Sequence, residues 1–198
     1  MIFHAFYHPK TIGDIVLMRK HVGQTMYFEK KEDVIILQNA KKETIGYNIL
    51  HASKHYTSLN TGLVKITEDF IAQSNVLLQA VMEPLLMYDP TSYFVVGKVK
   101  EIEAHPDSDH LHICQVDVQE EILQIVCGAS NVAKDQRVVV AKVNAVMPDG
   151  TVINPSVLRK VPSQGMLCSA KELQLAGKPE KGILILNDSY HVGDAFII

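Results

Sequence analysis

"FVVGKVKEIEAHPDSDHLHICQVDV", residues 94–118, decides the fold of the second half of this 198-residue chain. Two β-rich segments flank the turn cluster HPDSD (105–109), where Pro106 fixes φ and the short polar side chains can bond their own local backbone. Further short β-rich segments follow, namely ILQIVCG, RVVVAKV, TVIN and GILIL. Many short strands without a long helix between them predict a closed or partly closed β-barrel, which removes exposed sheet edges. One brief helix is expected at AKELQLAG (170–177), ended by Gly177.

The first half of the chain has a different pattern of predicted secondary structure. The short segments DIVLM, TMYF and VIILQ are β-rich, and NAKKE has the composition of a hairpin loop, so an antiparallel sheet is predicted. Apolar residues at helical spacing predict an amphipathic helix over 67–83, ended by Pro84. The turn-rich stretch MYDPTS (87–92) predicts a linker. The expected fold class is therefore mainly β, with a small α/β domain over 1–88 and a β-barrel domain over 93–198.

Composition and charge restrict the classes of function. With 47% hydrophobic and 21% charged residues, the chain has the composition of a soluble globular protein, and no apolar run is long enough to span a membrane. The N-terminal stretch lacks the pattern of a secretory signal and the cysteine count of three is low and odd, so a cytoplasmic location is expected. Residues 93–198 contain ten basic and thirteen acidic side chains. Any nucleic-acid contact there must therefore use a local basic patch.

The segment 105–118 contains three histidines, three carboxylates and a cysteine, which is the composition of a metal site. His110, His112 and Cys114 alternate along the predicted strand and share one face, but no second pair of ligands follows at a familiar spacing. A polar turn followed by an amphipathic strand is the preferred interpretation. His51 and His55 also have a spacing that metal sites use, but their segment is not obviously helical. No metal and no cofactor are predicted.

Four blocks in the second half carry a family resemblance, and in chain order they are FVVGKVKEIEAHPDSDHLHICQVDV, LQIVCGASNV, VVVAKVNAVMPDG and LRKVPSQGMLCSAKELQL. They resemble the tRNA-binding domain found near the N-terminus of bacterial phenylalanyl-tRNA synthetase β-chains. Related copies occur in some methionyl-tRNA synthetases, in endothelial monocyte-activating polypeptide and as standalone proteins. The resemblance implies an oligonucleotide-binding (OB) barrel over residues 93–198, in agreement with the strand pattern. The whole chain also resembles standalone bacterial members with a smaller N-terminal domain, for which no function is implied.

The resemblance implies that the stretch after the first strand is a structural turn. The family motif reads like His-Pro-x-Ala-Asp-Lys-Leu, and four positions match it, namely His105, Pro106, Asp109 and Leu111. Ser108 and His110 stand in place of the usual alanine and lysine. The missing lysine removes one fixed positive charge from this loop.

The resemblance also implies structure-specific tRNA binding that is largely independent of sequence, and no catalysis. Candidate phosphate contacts, expected near one surface, are Lys98, Lys142, Arg159 and Lys160. Candidate polar contacts to phosphate or ribose are Asn131, Ser163, Gln164 and Ser169. Relatives commonly have glycine at position 160 and glutamate at position 164. Each candidate also has a plainer interpretation, as a solvated surface charge, a turn cap or barrel packing.

Three functions remain open on the sequence. The first is a non-catalytic tRNA-binding protein acting as a tRNA cofactor or chaperone. Its expected partners are tRNA, an aminoacyl-tRNA synthetase or another translation protein, and it is expected to form a homodimer. The second is a protein-interaction module or peptide chaperone built on the same barrel. The third is an enzyme with a cysteine nucleophile, which is disfavoured because Cys127 follows an apolar run typical of a buried strand.

Overall fold

The computed structural model describes residues 3–20, 23–176 and 181–197. The chain divides into two compact units, Met1–Pro90 and Thr91–Ile198. Both units are built mainly of antiparallel strands, and few helices are present among the described residues. The predicted mainly β fold class is confirmed.

The first unit is a six-stranded sheet with one long helix. Its elements are β1 Phe3–Tyr7, α1 Pro9–Ile12, β2 Ile15–Lys20, β3 Tyr27–Lys31, β4 Val34–Gln38, β5 Thr44–Leu50, α2 Ala52–His55, β6 Gly62–Val64 and α3 Glu68–Ala80. The strand order is β3-β4-β5-β2-β1-β6, and every pair is antiparallel. This is the antiparallel sheet plus helix that the sequence predicts.

Helix α3 covers one face of this sheet. Thr67 caps its N-terminus by accepting the backbone N–H of Phe70 at 3.1 Å. Ile71 and Leu78 are buried in the same apolar cluster as Val16 of β2. The helix ends three residues earlier than position 83, because Met82 has a left-handed φ of 59° and Pro84 disfavours helical backbone before it.

The second unit consists of short strands. They are β7 Phe94–Ala104, β8 His112–Asp117, β9 Ile122–Cys127, β10 Arg137–Lys142, β11 Ser156–Leu158, β12 Val161–Ser163, β13 Gly165–Leu167 and β14 Ile185–Leu186. The main sheet has the order β13-β10-β7-β8-β9, with β14 also paired to β10, and β11 and β12 form a separate hairpin. Inward-facing residues of the main sheet make a fully buried core that includes Val99, Val116, Ile125, Val138 and Val140.

Two hydrogen bonds link the end of the hairpin to β9. The backbone N–H of Gln164 donates to the carbonyl of Gln124 at 2.8 Å, and the N–H of Val126 donates to the hydroxyl of Ser163 at 3.1 Å. They bring residues 163–164 beside the edge strand of the main sheet. Closure of the sheet into an OB barrel stays a prediction.

The predicted helix over 170–177 is wrong for the part that the structure describes. Residues 170–176 form turns rather than an α-helix. Gln174 has a left-handed φ of 52°, which interrupts helical hydrogen bonding within a segment too short to tolerate it. The predicted end at Gly177 lies outside the described residues.

Candidate nucleic-acid interface

The hairpin β11–β12 turns through Arg159 and Lys160, which together are called the hairpin tip. Both residues have left-handed backbone, with φ of 43° and 72°. Two consecutive left-handed residues are what a two-residue hairpin turn of type I′ requires, and glycine is the residue that adopts this conformation most readily. The side chain of Lys160 is 91% exposed, so the turn presents a cation to solvent.

The hairpin tip rests on the turn that the stretch HPDSD forms. The guanidinium of Arg159 donates from Nη1 to the carbonyl of Asp107 at 2.5 Å. The ammonium of Lys160 lies 3.9 Å from the carboxylate of the same residue. His105 approaches the carbonyl of Leu158 with its Nε2 at 3.2 Å. The predicted turn is therefore present, and it also contacts a distant hairpin.

A second group of cations surrounds the carboxylate of Asp135, which lies in the loop before β10 and beside the middle of β7. Lys98 lies 2.9 Å from Asp135. The hydrogen bond from Lys98, followed by the charges of Lys98, Lys134 and Lys100, holds the pKa of the Asp135 carboxyl below its usual range. Three lysines thus act on one aspartate, and they are called the lysine cluster. Its members are Lys98, Lys100 and Lys134.

A β-bulge helps to position the lysine cluster. The register between β7 and β8 shifts between Val99 and Glu101, so that Lys100 has no partner opposite it and its side chain is exposed. Sequence reasoning missed Lys100 and Lys134. The spacing of Lys98 and Lys100 on one predicted strand was the available signal for the first, whereas Lys134 is brought near only by the loop before β10.

Lys142 does not belong to either group of cations. Lys98 pairs with Arg137 at the first residue of β10, whereas Lys142 is the last residue of that strand, roughly 16 Å away at the usual rise per residue. Its ammonium lies 3.6 Å from each of Glu120 and Glu121, and its side chain is 19% exposed. The structure thus separates Lys142 from Lys98 along β10 and pairs Lys142 with turn carboxylates.

Ser163 and Gln164 support the backbone of the second unit. Ser163 is 2% exposed, and its hydroxyl accepts from Val126 and donates to the carbonyl of Gly165 at 3.2 Å. Gln164 is exposed, and its side-chain carbonyl accepts the N–H of Gln124 at 3.2 Å. The backbone of Gly165, the next residue, closely approaches another strand of this chain. With φ of 154°, a Cβ at this position would lie 2.8 Å from the carbonyl oxygen of Ala141.

Ser169 and Asn131 also have internal partners. The N–H and the hydroxyl of Ser169 both donate to one carboxylate oxygen of Glu172 at 2.7 Å, and the N–H of Glu172 donates back to the hydroxyl at 3.2 Å. Asn131 donates to the carbonyl of Ile183 at 2.9 Å and accepts its N–H at 3.0 Å. Both side chains therefore hold loops in place, which is the plainer interpretation of each.

A cleft of about 310 Å³ lies beside these loops. Val126–Ala129, Met166, Leu167, Ser169, Glu172, Gly182 and Ile183 line it. The carboxylate of Glu172 makes this cleft a poor place for a phosphate group, because like charges repel at short range. The lysine cluster and the hairpin tip instead carry positive charge, which favours an anionic group.

Comparison with known proteins decides the family. The model described as "Putative tRNA binding domain" matches residues 94–195, which spans nearly the whole second unit. The chain belongs to this tRNA-binding-domain family. A second model, "Domain of unknown function (DUF4479)", matches residues 21–86 in the first unit.

Relatives within the tRNA-binding-domain family differ in length. "Putative tRNA-binding protein YtpR" of Bacillus subtilis is 48% identical over 98% of this chain and 98% of its own length. The "Phenylalanine--tRNA ligase beta subunit" of Sulfurimonas denitrificans is 47% identical over 57% of this chain, but the match spans 15% of that subunit. A solved structure, the C-terminal domain of Plasmodium vivax p43, is 25% identical and covers 52% of this chain and 58% of its own, with a TM-score of 0.39.

The cysteines of this family member are buried. Cys114 and Cys168 are 0% exposed and Cys127 is 7% exposed. Burial raises the pKa of the thiols of Cys114 and Cys168 to about 12 and also raises the pKa of Cys127. At neutral pH these thiols are protonated and shielded, so none is suited to act as a nucleophile.

The two groups of potential metal ligands noted in the sequence have different surroundings in the structure. His51 and His55 both hydrogen-bond to the carboxylate of Asp33, at 2.9 and 2.8 Å. His110 is exposed, whereas Cys114 belongs to the apolar core. Across residues 3–20, 23–176 and 181–197, no group of three or more His, Cys, Asp or Glu residues could hold a metal ion. In the same part of the chain, no helix is long and apolar enough to cross a membrane.

Proposed function

We propose that this chain is a non-catalytic tRNA-binding protein, and that its second unit holds folded tRNA through the lysine cluster and the hairpin tip. The observation that carries the proposal is the family-model match over residues 94–195, which contains both groups of cations. The relative from Bacillus subtilis, named as a tRNA-binding protein and similar over nearly the whole chain, supports the same conclusion. These comparisons favour tRNA binding over the protein-interaction alternative.

Contacts to phosphate and ribose account best for the chemistry of this surface. From residue 94 onward the sequence contains three aromatic residues, Phe94, Tyr190 and Phe196. Phe94 is 8% exposed, and the rings of Tyr190 and Phe196 lie against each other with centroids 6.1 Å apart. Rings placed in this way are unlike the exposed aromatic platforms on which single-strand binders stack bases. Recognition of a folded RNA shape, by contrast, needs no rings.

The proposed tRNA contacts are chosen by the exposure of each side chain and by its partners in the structure. The preferred cations are the partly exposed Lys98 and the exposed Lys100, Lys134, Arg159 and Lys160. Lys142 is left out because Glu120 and Glu121 neutralise it. The polar candidates Asn131, Ser163, Gln164 and Ser169 are proposed to act by holding the loops that flank this surface, since each has an internal hydrogen bond.

The finer features of the protein are part of the same proposal. Residues 93–198 are proposed to close into an OB barrel that folds alone, with residues 1–88 as a separate domain to which no role is assigned. A cytoplasmic location and association with an aminoacyl-tRNA synthetase are consistent with the similarity to a phenylalanyl-tRNA synthetase subunit. The chain is also proposed to form a homodimer.

A titration of the purified full chain with bulk tRNA, duplex RNA and single-stranded RNA at two salt concentrations tests the proposal. We expect tRNA to bind most tightly, with modest affinity and a salt slope that corresponds to roughly two to four phosphate contacts. Equal affinity for single-stranded RNA would contradict recognition of a folded shape. Absence of RNA binding at low salt would reject the proposal and favour a protein partner.

A further inference from the structure

His105 is a buried side chain within an exposed turn. It is 4% exposed, whereas Pro106 and Asp107 beside it are exposed. The backbone N–H of Asp107 donates to Nδ1 of the ring at 3.1 Å, so Nδ1 carries no proton. Nε2 then carries the proton of the neutral ring and can donate to the carbonyl of Leu158 at 3.2 Å. Both ring nitrogens therefore have partners in one defined tautomer.

The two bonds of this ring connect different parts of the chain. The bond to Nδ1 stays within the turn, where Ser108 also donates its N–H to the carbonyl of His105 at 3.3 Å. The bond from Nε2 reaches Leu158, which is 53 positions away and is the last residue of β11 before the hairpin tip. The imidazole thus joins the turn to the hairpin.

The hairpin needs such support. It forms a two-stranded sheet separate from the main one, and its strands have three residues each. Val157 and Leu158 are 68% and 36% exposed, so β11 buries little apolar surface. An isolated two-stranded hairpin is marginally stable in water, and external contacts decide how well its turn is fixed. At the tip, the turn supplies these contacts through Asp107 and His105.

We propose that His105 is a positioning residue for RNA binding. Its Nε2–H bond to Leu158 holds the hairpin so that the cations of Arg159 and Lys160 are presented together to the RNA backbone. His105 itself is buried and does not touch RNA. This inference rests on the proposed tRNA-binding function, and it assigns to the first residue of the HPDSD turn a role in the interface.

Two conservative variants separate the two bonds. In H105N the shorter side chain can still accept the N–H of Asp107 but cannot reach Leu158. In H105Q the amide nitrogen can still reach Leu158, while the acceptor for Asp107 is lost. We expect H105N to weaken tRNA binding about threefold to tenfold and to make the salt slope shallower by about one unit, since fixed phosphate contacts are lost. H105Q should lose less of the slope than H105N.

A double-mutant cycle distinguishes positioning from general stability. In an R159Q/K160Q background the hairpin tip carries no charge, so H105N should weaken tRNA binding less than about twofold further, because the two changes act through one contact. A full, additive loss in that background would overturn the proposal, since His105 would then act elsewhere. If H105N does not fold, H105Q decides. A decrease of the salt slope in H105Q by the full amount expected for H105N would equally overturn the proposal.

Hydrogen exchange of the free protein supplies a reading that does not depend on RNA. H105N should speed amide exchange in residues 156–163 and leave the main-sheet strands β8 and β10 unchanged. Unchanged exchange in that hairpin would contradict the proposed tether. If the wild-type chain binds no tRNA, the proposed function fails, and the exchange result alone decides whether His105 holds the hairpin.

Discussion

The ammonium of Lys98 lies 2.9 Å from the carboxylate of Asp135, and this carboxylate also senses the charges of Lys134 and Lys100. The aspartate therefore offsets part of the positive charge that an RNA backbone would meet. Asp135 has a left-handed φ of 70°, a conformation that asparagine tolerates well. The substitution Asp135→Asn thus removes one negative charge without requiring a change of backbone.

We predict that D135N strengthens tRNA binding. Because the three lysines lose their internal counter-charge, affinity at low salt should rise several-fold, and the salt slope should become steeper by up to about one unit. The measurement is a tRNA titration at several salt concentrations, with the melting temperature as a control for folding. Unchanged affinity and slope in a folded D135N protein would place the interface away from the lysine cluster.

A second prediction compares two lysines with different surroundings. Lys100 is exposed at a β-bulge, whereas the side chain of Lys142 is 19% exposed and lies 3.6 Å from two glutamates. K100A should make the salt slope shallower by about one unit, and K142A should change it by less than half as much. Both variants are compared with wild type in the same titration. The reverse order would mean that the glutamates release Lys142 when RNA binds.

Much of the fold was predictable because its signals are local. The β-rich composition of short segments predicted strands such as β7 and β8, and the composition of HPDSD predicted the turn that His105 and Ser108 form. The brief helix over 170–177 was predicted from propensity alone. In the structure Gln174 instead has a left-handed backbone, and no helical pattern in the sequence indicates this conformation.

The candidate site was less predictable, because pairing between distant segments determines which charges are available. Lys142 and Lys98 look equivalent in the sequence, but Glu120 and Glu121 of the β8–β9 turn enclose only the first. Ser163 was expected to offer a free hydroxyl, and its burial follows from the approach of β9 to the end of the hairpin. Such relationships depend on how strands are arranged and have no local sequence signal.

The hairpin tip gives a third prediction, in which strain and charge can be separated. Lys160 has a φ of 72°, so K160G should relieve left-handed strain and stabilise the second unit by up to roughly 1 kcal/mol. K160A removes the same charge but keeps the strain. Both variants should make the salt slope of tRNA binding equally shallower, by less than about one unit, while thermal unfolding shows a gain for K160G alone. Different slopes for the two variants would show that the backbone, rather than the charge, matters at this position.

The fourth prediction concerns the three thiols. Burial raises the pKa of Cys114 and Cys168 from the ordinary value of 9.0 to about 12, so their thiolate fraction in the folded protein is very small. Iodoacetamide at pH 8 should leave both cysteines unmodified in the native chain and label them after unfolding in denaturant, as read by mass spectrometry. Rapid labelling of native Cys168 would mean that the loop over residues 170–176 opens readily.

The same shift sets the sign of a pH effect on stability. Below about pH 9 the thiols are protonated in both the folded and the unfolded chain, so they contribute no pH dependence there. Above that pH the unfolded chain ionises first, because its thiols keep the ordinary pKa, and the free energy of unfolding should fall until the folded thiols ionise near pH 12. Denaturant unfolding between pH 8 and 10 measures this loss, and C114A/C168A should show a smaller dependence on pH than wild type. An identical dependence in both proteins would show that other groups account for the alkaline loss, such as Tyr47 and Tyr56 of the first unit, which are buried and whose pKa burial also raises.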